Sequence, residues 1–420
     1  MSKIEIAPPT KDFRDDFAYA SRLVATAWLV SSLAGGLPGF SLNFLLKDGL
    51  HLTASSLALF ALFGNVAGYV KPLMGIVVDA FPLFGTRWRH YLMFAFAGSG
   101  LCYFLMGVVP RTFGSLLATN ILLLVCLNLG SIVMGGMMVE VGQRHKATGR
   151  MSAQRVAISR LDALVSTPIG AWLAFLPFSW VMTLPALIYF ATIPIFYRHL
   201  REPKTTPVRS EVLQTAKRQL HSIAHCRPLL IAASAVMLIV MAPGFGTPLF
   251  YYQTDVLHFS KGFLGSLSFV GGAFGILGAA IYVKICRRFS LKTLLIGSIL
   301  VHAGGTLFYL GYHTPASALA ITALEGIAQT LAVLPLYDLA ARATPRGSEA
   351  LGYALMMSAW NLTIALSNWF GSWLSDQFGL TFLNLVWLNA GTTALALVII
   401  PLLPAILVQH REEEKKEALA

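Results

Sequence analysis

The sequence predicts an all-α integral membrane fold of about twelve transmembrane helices in two six-helix halves, on three observations. The 420 residues are 56% hydrophobic and only 12% charged, with a mean hydropathy of +0.68, against roughly 25% charged residues in soluble proteins. The apolar residues fall in runs of the length, roughly 20 residues, that an α-helix needs to cross a ~30 Å hydrocarbon core. A phrase also recurs half a chain apart: Pro38-Gly39-Phe40 followed by Asp48-Gly-Leu-His-Leu-Thr, and Pro243-Gly244-Phe245 followed by Asp255-Val-Leu-His-Phe-Ser.

Taken in order, the expected spans are 22–46, 54–78, 91–110, 114–139, 152–176 and 179–197 in the first half. Those of the second are 229–252, 262–284, 291–311, 317–340, 350–374 and 381–408. The first twenty residues are polar, and the apolar run after them is too long for a signal peptide, so span 1 is expected to be retained. Residues 1–197 form the N-terminal half, the basic stretch 198–227 reads as a linker, and 228–420 form the C-terminal half. Glycines at 64 and 68, and at 271, 272, 275 and 278, offer small faces for close helix packing.

The net charge of +12 acquires meaning from its placement. About 27 of the Lys and Arg residues fall in the two tails and the loops after even-numbered spans, the positive-inside signature. Both termini are therefore expected in the cytoplasm. A nucleic-acid groove is excluded, since the basic residues lack interleaved aromatics on a soluble face. The four cysteines lie far apart, with no metal-ligand spacing, and neither metal nor cofactor is expected. No Ser/His/Asp, His-Glu-x-x-His or phosphate-loop arrangement is present, so the sequence does not point to an enzyme.

Six plus six spans with a central cytoplasmic loop is the major facilitator architecture, whose parallel halves rock around a midplane site. That analogy concerns fold and names no substrate. Within it the Pro-Gly pairs gain a purpose. Proline removes a backbone donor and kinks a helix, so Pro38-Gly39 and Pro243-Gly244 are expected to bend spans 1 and 7 or open their backbone towards a cavity.

Two stretches carry a closer resemblance. Leu46–Leu92 contains Lys71-Pro-Leu-Met-Gly-Ile-Val-Val-Asp79-Ala-Phe-Pro-Leu-Phe-Gly-Thr-Arg87-Trp-Arg-His-Tyr91. Leu334–Asp376 contains Leu-Ala-Ala-Arg342-Ala-Thr-Pro-Arg-Gly-Ser-Glu349-Ala and, further on, Ser358-Ala-Trp-Asn361. Together with Phe250-Tyr-Tyr and Gly265, these resemble the folate-biopterin transporter family over most of the chain. The resemblance implies import of folates or related pterins by a symporter coupled to a cation gradient, here taken as protons, with a small-molecule substrate, protons and the bilayer as partners. A monomer in a bacterial inner (plasma) membrane is expected. The family carries aspartates in span 4 ahead of a Val-Glu pair; here Ser131 and Gly135 precede Val139-Glu140. Other cargoes, such as a muropeptide, a sugar or another aromatic anion, stay open, as does a non-transporting assembly factor on the same fold.

A flat ring with a carboxylate tail calls for aromatic walls, a few hydrogen-bonding groups and a cation. The candidates for binding it are Lys71, Arg160, Tyr251, Tyr252, Gln253, Trp360, Asn361 and Asn368. Lys71 could equally snorkel to the surface, and Arg160 could equally pair with another span. Ionisable residues inside spans are expensive and functional by default, which makes Asp162 and Glu325 the candidates to carry a proton. Asp79 with Arg87 and Arg89, and Asp338 with Arg342 and Glu349, sit near cytoplasmic ends and are expected to act as gates. His302 in span 9 is expected on a peripheral helix, as a packing or lipid-side residue.

Overall fold

A computed structural model describes residues 15–145, 147–202, 209–286, 288–343 and 349–403. The charged tails and part of the linker lie outside the described residues. The backbone at Arg160, Arg342 and Glu349 is described, but their side chains are not.

All the spans are helical. Span 1 comprises α1 (Phe17–Gly36) and α2 (Gly39–Phe44), joined at Leu37-Pro38 and ending in a π-helical turn, Leu45–Gly49. Span 2 is divided into α3 (Ala54–Gly64), α4 (Val66–Tyr69) and α5 (Lys71–Ala80). Spans 3 to 6 are α6 (Arg89–Val108), α7 (Phe113–Arg144), α8 (Thr148–Leu173) and α9 (Phe178–His199). An amphipathic helix, α10 (Arg209–His225), occupies the linker region and packs against α5. Span 7 repeats the plan of span 1, with α11 (Arg227–Val240), an open stretch, α12 (Gly246–Tyr251) and a π-helical turn, Tyr252–Val256. Spans 8 to 12 follow as α13 (Lys261–Ile285), α14 (Leu291–Leu307), α15 (Pro315–Ala343), α16 (Glu349–Phe378) and α17 (Phe382–Leu395).

The repeated phrase gives a repeated backbone. His51 and His258, at matching places, both adopt a left-handed φ of 51°. Thr53 and Ser260, two residues later, each cap the next helix by accepting from a backbone N–H three residues on. A short hydroxyl side chain is well suited to satisfy that otherwise unpaired donor.

Eight of the described segments are long and apolar enough to cross a membrane by themselves. The remaining four are spans 2, 5, 7 and 11, which are broken or rich in polar residues. Several of their polar groups bond other helices. The open stretch of span 7 shows how: the Gly244 N–H donates to the Ser367 carbonyl at 2.9 Å. Ser367 Oγ donates back to the Ala242 carbonyl at 2.5 Å, Asn389 Nδ2 to the Pro243 carbonyl at 2.9 Å, and the Thr247 N–H to Asn368 Oδ1 at 3.0 Å. Spans 11 and 12 thus replace the hydrogen bonds that the breakers remove.

Span 2 breaks for a related reason that the sequence reading missed. Pro72 has no N–H to offer Gly68 four residues back, and the Gly68 carbonyl instead accepts from Ser358 Oγ of span 11 at 3.2 Å. Each half keeps its own packed core. Phe96, Tyr189 and Phe196 pack edge to face in the first, with centroids 5.3 and 5.5 Å apart, and Leu229, Leu295, Ile299 and Trp360 pack together in the second.

The contact between spans 7 and 11 leaves no room for a side chain at Gly371, where a Cβ would enter the carbonyl of Gly244. Overpacking of a tight contact costs about 1–3 kcal/mol. Gly371→Ala is expected to lower the thermal unfolding midpoint in detergent by several degrees, and Gly297→Ala, whose Cβ meets nothing within 4 Å, to leave it unchanged. Equal midpoints would overturn this packing argument.

Candidate functional site

Between the halves lies a cavity of about 870 Å³, within the range of sites that enclose a small organic molecule. Spans 1 and 2 contribute Asn43, Asn65 and Tyr69. Span 7 contributes Phe245, Phe250 and Thr247, and span 11 Trp360, Asn361 and Asn368. The far wall is made by Ser298, His302 and Tyr309 of span 9, Glu325 and Gln329 of span 10, and Asn389 and Thr393 of span 12.

That far wall is electrostatically unusual. Glu325 Oε2, His302 Nδ1 and Thr393 Oγ1 are each buried with no hydrogen-bond partner. Buried polar atoms are nearly always bonded, and three on one cavity wall mark a surface with unmet hydrogen-bonding capacity. Among the described lining residues Glu325 is the one carboxyl, and no Lys or Arg is present. His302 therefore faces the cavity rather than the periphery. The sequence signal that could have found it, and Asn389 too, is a polar side chain interrupting an apolar run.

Lys71 lies two residues beyond Tyr69 and does not line the cavity itself. Its Nζ donates to Ser131 Oγ at 2.7 Å, and the charge of Arg155 acts on it. Ser131 stands where the resemblance places an aspartate, and its hydroxyl brings no negative charge to the ammonium. Asp162 accepts from Ser166 Oγ, beside Gly36, and does not line the cavity.

Tyr251, Tyr252 and Gln253 lie outside the cavity lining. Tyr251 donates its hydroxyl to the Leu52 carbonyl, Tyr252 stacks on Phe382 at 4.7 Å, and Gln253 donates to the Tyr312 hydroxyl at 2.7 Å. They belong to a closure joining the halves at the end away from the basic loops. Lys47 donates there to Asp48 at 3.0 Å and also to Asp255 of the other half. The Ser55 N–H donates to Asp376 Oδ2 at 2.8 Å, Lys261 Nζ to the Ala174 carbonyl at 2.9 Å, and Phe44 meets Phe250 edge to face at 5.2 Å. The two aspartates of the repeated phrase thus converge on one lysine.

At the opposite end two charge pairs lie within the first half, Arg87 with Asp79 and Arg144 with Asp15. Arg87 Nη2 bonds Asp79 at 2.8 Å, and Arg89 Nη2 donates to the Tyr197 carbonyl at 2.8 Å. Glu202, not Asp79, receives the backbone N–H groups of Arg87, Trp88 and Arg89 at the start of α6, at 2.8, 3.0 and 3.2 Å. Asp338 sits near the end of α15. No group of three or more His, Cys, Asp or Glu placed to hold a metal ion occurs among the described residues.

Lys47, nearly buried at 9% side-chain exposure, holds the closure through a partner that is half exposed, a pair worth about 0–1 kcal/mol. Lys47→Ala is expected to raise the population of a separated arrangement up to several-fold. Distances between spin labels at Leu176 and Phe378, in a background with the native cysteines replaced, would report it; an unchanged distribution counts against this role.

Comparison with known proteins bears on the whole chain. The folate-biopterin transporter of Synechocystis sp. is 26% identical over 404 residues, covering 91% of this chain and 81% of that protein. Folate transporter 1 of Plasmodium falciparum is 22% identical over 365 residues, covering 82% and 70%. The crystal structure of a D-xylose-proton symporter superposes with a TM-score of 0.69 at 15% identity, covering 92% of this chain and 97% of that one. The inward-open xylose transporter XylE from E. coli superposes with a TM-score of 0.60 at 13% identity, covering 92% and 96%. These superpositions show the major facilitator fold. A profile of the BT1 family matches residues 32–419, and on that match the chain belongs to the BT1 family.

Proposed function

We propose that this chain is a secondary active transporter that imports folates or related pterins by alternating access, driven by a proton gradient. The observation that carries the reading is the cavity between the halves, aromatic on its sides and polar on its far wall, with a single buried carboxyl. A planar heterocycle needs such walls. The names of the BT1 relatives supply the class of cargo.

The basic loops support cytoplasmic termini in a bacterial inner membrane, and on that reading the closed end is the outer one and this is an inward-facing state. Glu325 carries the coupling proton; Asp162, held by Ser166 outside the cavity, helps to set the crossing of spans 1 and 5. Lys71, backed by Arg155, receives the anionic tail, with Arg160 as a further candidate on the same half. Trp360 and Asn361 bind the ring, and Asn368, bonded to Thr247, holds span 7 beside it. Tyr251, Tyr252 and Gln253 serve the outer closure with Lys47 and Asp255. Pro38-Gly39 and Pro243-Gly244 are the bends about which the halves rock. Asp79, Arg87 and Arg89 brace the inner gate on one half, opposed by Asp338, Arg342 and Glu349 on the other. A monomer suffices for this cycle.

The test is uptake of radiolabelled folate by proteoliposomes of the purified protein, with and without an inward proton gradient, against unlabelled biopterin, a sugar and a muropeptide. Saturable uptake, raised by the gradient and displaced by biopterin alone, is expected. Gradient-driven accumulation is expected to vanish in Glu325→Gln. No uptake by folded protein in sealed vesicles, or displacement by the sugar or muropeptide instead, would overturn the reading.

A second prediction separates ring from tail. Lys71→Gln is expected to raise the KM for folate about tenfold, equivalent to about 1.4 kcal/mol, and to change that for biopterin, which has no carboxylate, by less than about twofold. Equal effects on both would remove Lys71 from the tail site.

A further inference from the structure

We propose that the proton on Glu325 is itself a recognition element: the neutral carboxyl pairs with the ring edge on which a nitrogen acceptor stands beside an exocyclic amino donor, so proton and ring bind together. The inference rests on the pterin reading above.

The geometry begins with what surrounds the carboxyl. Glu325 is held against α14, where a Cβ at Gly305 would lie 3.0 Å from its Oε2, and that oxygen has no hydrogen-bond partner. Two of the amides that line the cavity are already engaged, while Gln329, one turn along α15, and Asn361 line it as well. Asn389 donates to the Pro243 carbonyl and accepts from Thr306 at 3.4 Å; Asn368 donates to Thr247 Oγ1 at 2.8 Å and accepts from its N–H. No Lys or Arg lines the cavity among the described residues. Oε2 of Glu325 is therefore left for a group that comes with the cargo.

A carboxylate only accepts, whereas a neutral carboxyl offers one O–H donor and one carbonyl acceptor side by side. A 2-amino-4-oxopteridine presents the complement, with N1 as acceptor and the 2-amino group as donor. The O–H of Glu325 donates to N1, and its carbonyl oxygen accepts from the amino group. Ionised Glu325 would instead set lone pair against lone pair at N1. His302 Nδ1 and Thr393 Oγ1, unbonded on the same wall, are left for the remaining polar edge of the ring. The proton is taken from water on loading and returned to water once the ring has left.

Other titratable groups face this site and must be separated from Glu325. They are His302 and Tyr309 beside it, the latter just past the end of α14, and Tyr69 from span 2. From α13 the group in register is Tyr282, one turn past Gly278, which packs on α15. The parts of spans 7, 11 and 12 that line the cavity add none among the described residues.

The test measures equilibrium binding of biopterin, and of the analogue lacking the 2-amino group, to the purified full-length protein from mildly acid to mildly alkaline pH. Wild-type affinity for biopterin is expected to fall as pH rises, by up to about tenfold per unit for one linked proton. Glu325→Gln, whose amide permanently carries one donor and one acceptor, is expected to bind biopterin at every pH without that slope. Glu325→Ala should bind about tenfold more weakly than wild type at acid pH, again without slope. His302→Gln should weaken binding but keep the slope, and the des-amino analogue should show little difference between wild type and Glu325→Ala.

Glu325→Gln failing to bind as Glu325→Ala does, or a slope lost in His302→Gln and kept in Glu325→Gln, would overturn the proposal. So would biopterin bound equally by all forms, and that result leaves the pterin reading standing. Biopterin bound by none, the folded wild type included, would overturn both.

Discussion

Every polar group of a backbone that crosses a bilayer must find a partner inside the protein, because hydrocarbon offers none. This constraint explains more of the structure than any single contact. Where spans 2 and 7 give up their own helical bonds, at Pro72 and around Pro243-Gly244, span 11 supplies Ser358, Ser367 and Asn368 to the loosened backbone. Asn389 of span 12 does the same. The polar residues that keep span 11 from being plainly apolar are therefore the residues that hold the broken helices open beside the cavity.

The repeated phrase shows how duplication sets a backbone while leaving its use free. Both copies interrupt the α-helix at Pro-Gly, end in a π-helical turn and place a histidine at the same left-handed φ. The side chains then diverge. Lys47 has Thr254 as its counterpart, so the two matching aspartates, Asp48 and Asp255, can share one lysine rather than repel each other. An ion pair, an aromatic contact and a few backbone bonds make a closure that holds without being deep.

Charge is divided between the halves. Lys71, bonded to Ser131 and with Arg155 acting on it, belongs to the first; Glu325 and His302 belong to the second. A ligand with an anionic end and a hydrogen-bonding ring would meet a different half at each end.

The spans, the basic side of the chain, the duplication and the breakers were all legible in the sequence, because hydropathy, loop charge and proline are local properties that hold wherever the helix ends up. Glu325 was legible too, since a carboxyl in an apolar run costs too much to be incidental. That His302 lines the cavity, that Tyr251, Tyr252 and Gln253 make their contacts at the closure and that Lys47 bridges two aspartates were not legible. Which side of a helix faces a cavity, and which neighbour a side chain reaches, depend on how twelve helices rotate and cross. Only the tertiary structure decides that, because a few degrees of rotation about a helix axis turn a residue from a packed face to an open one while leaving its local sequence unchanged.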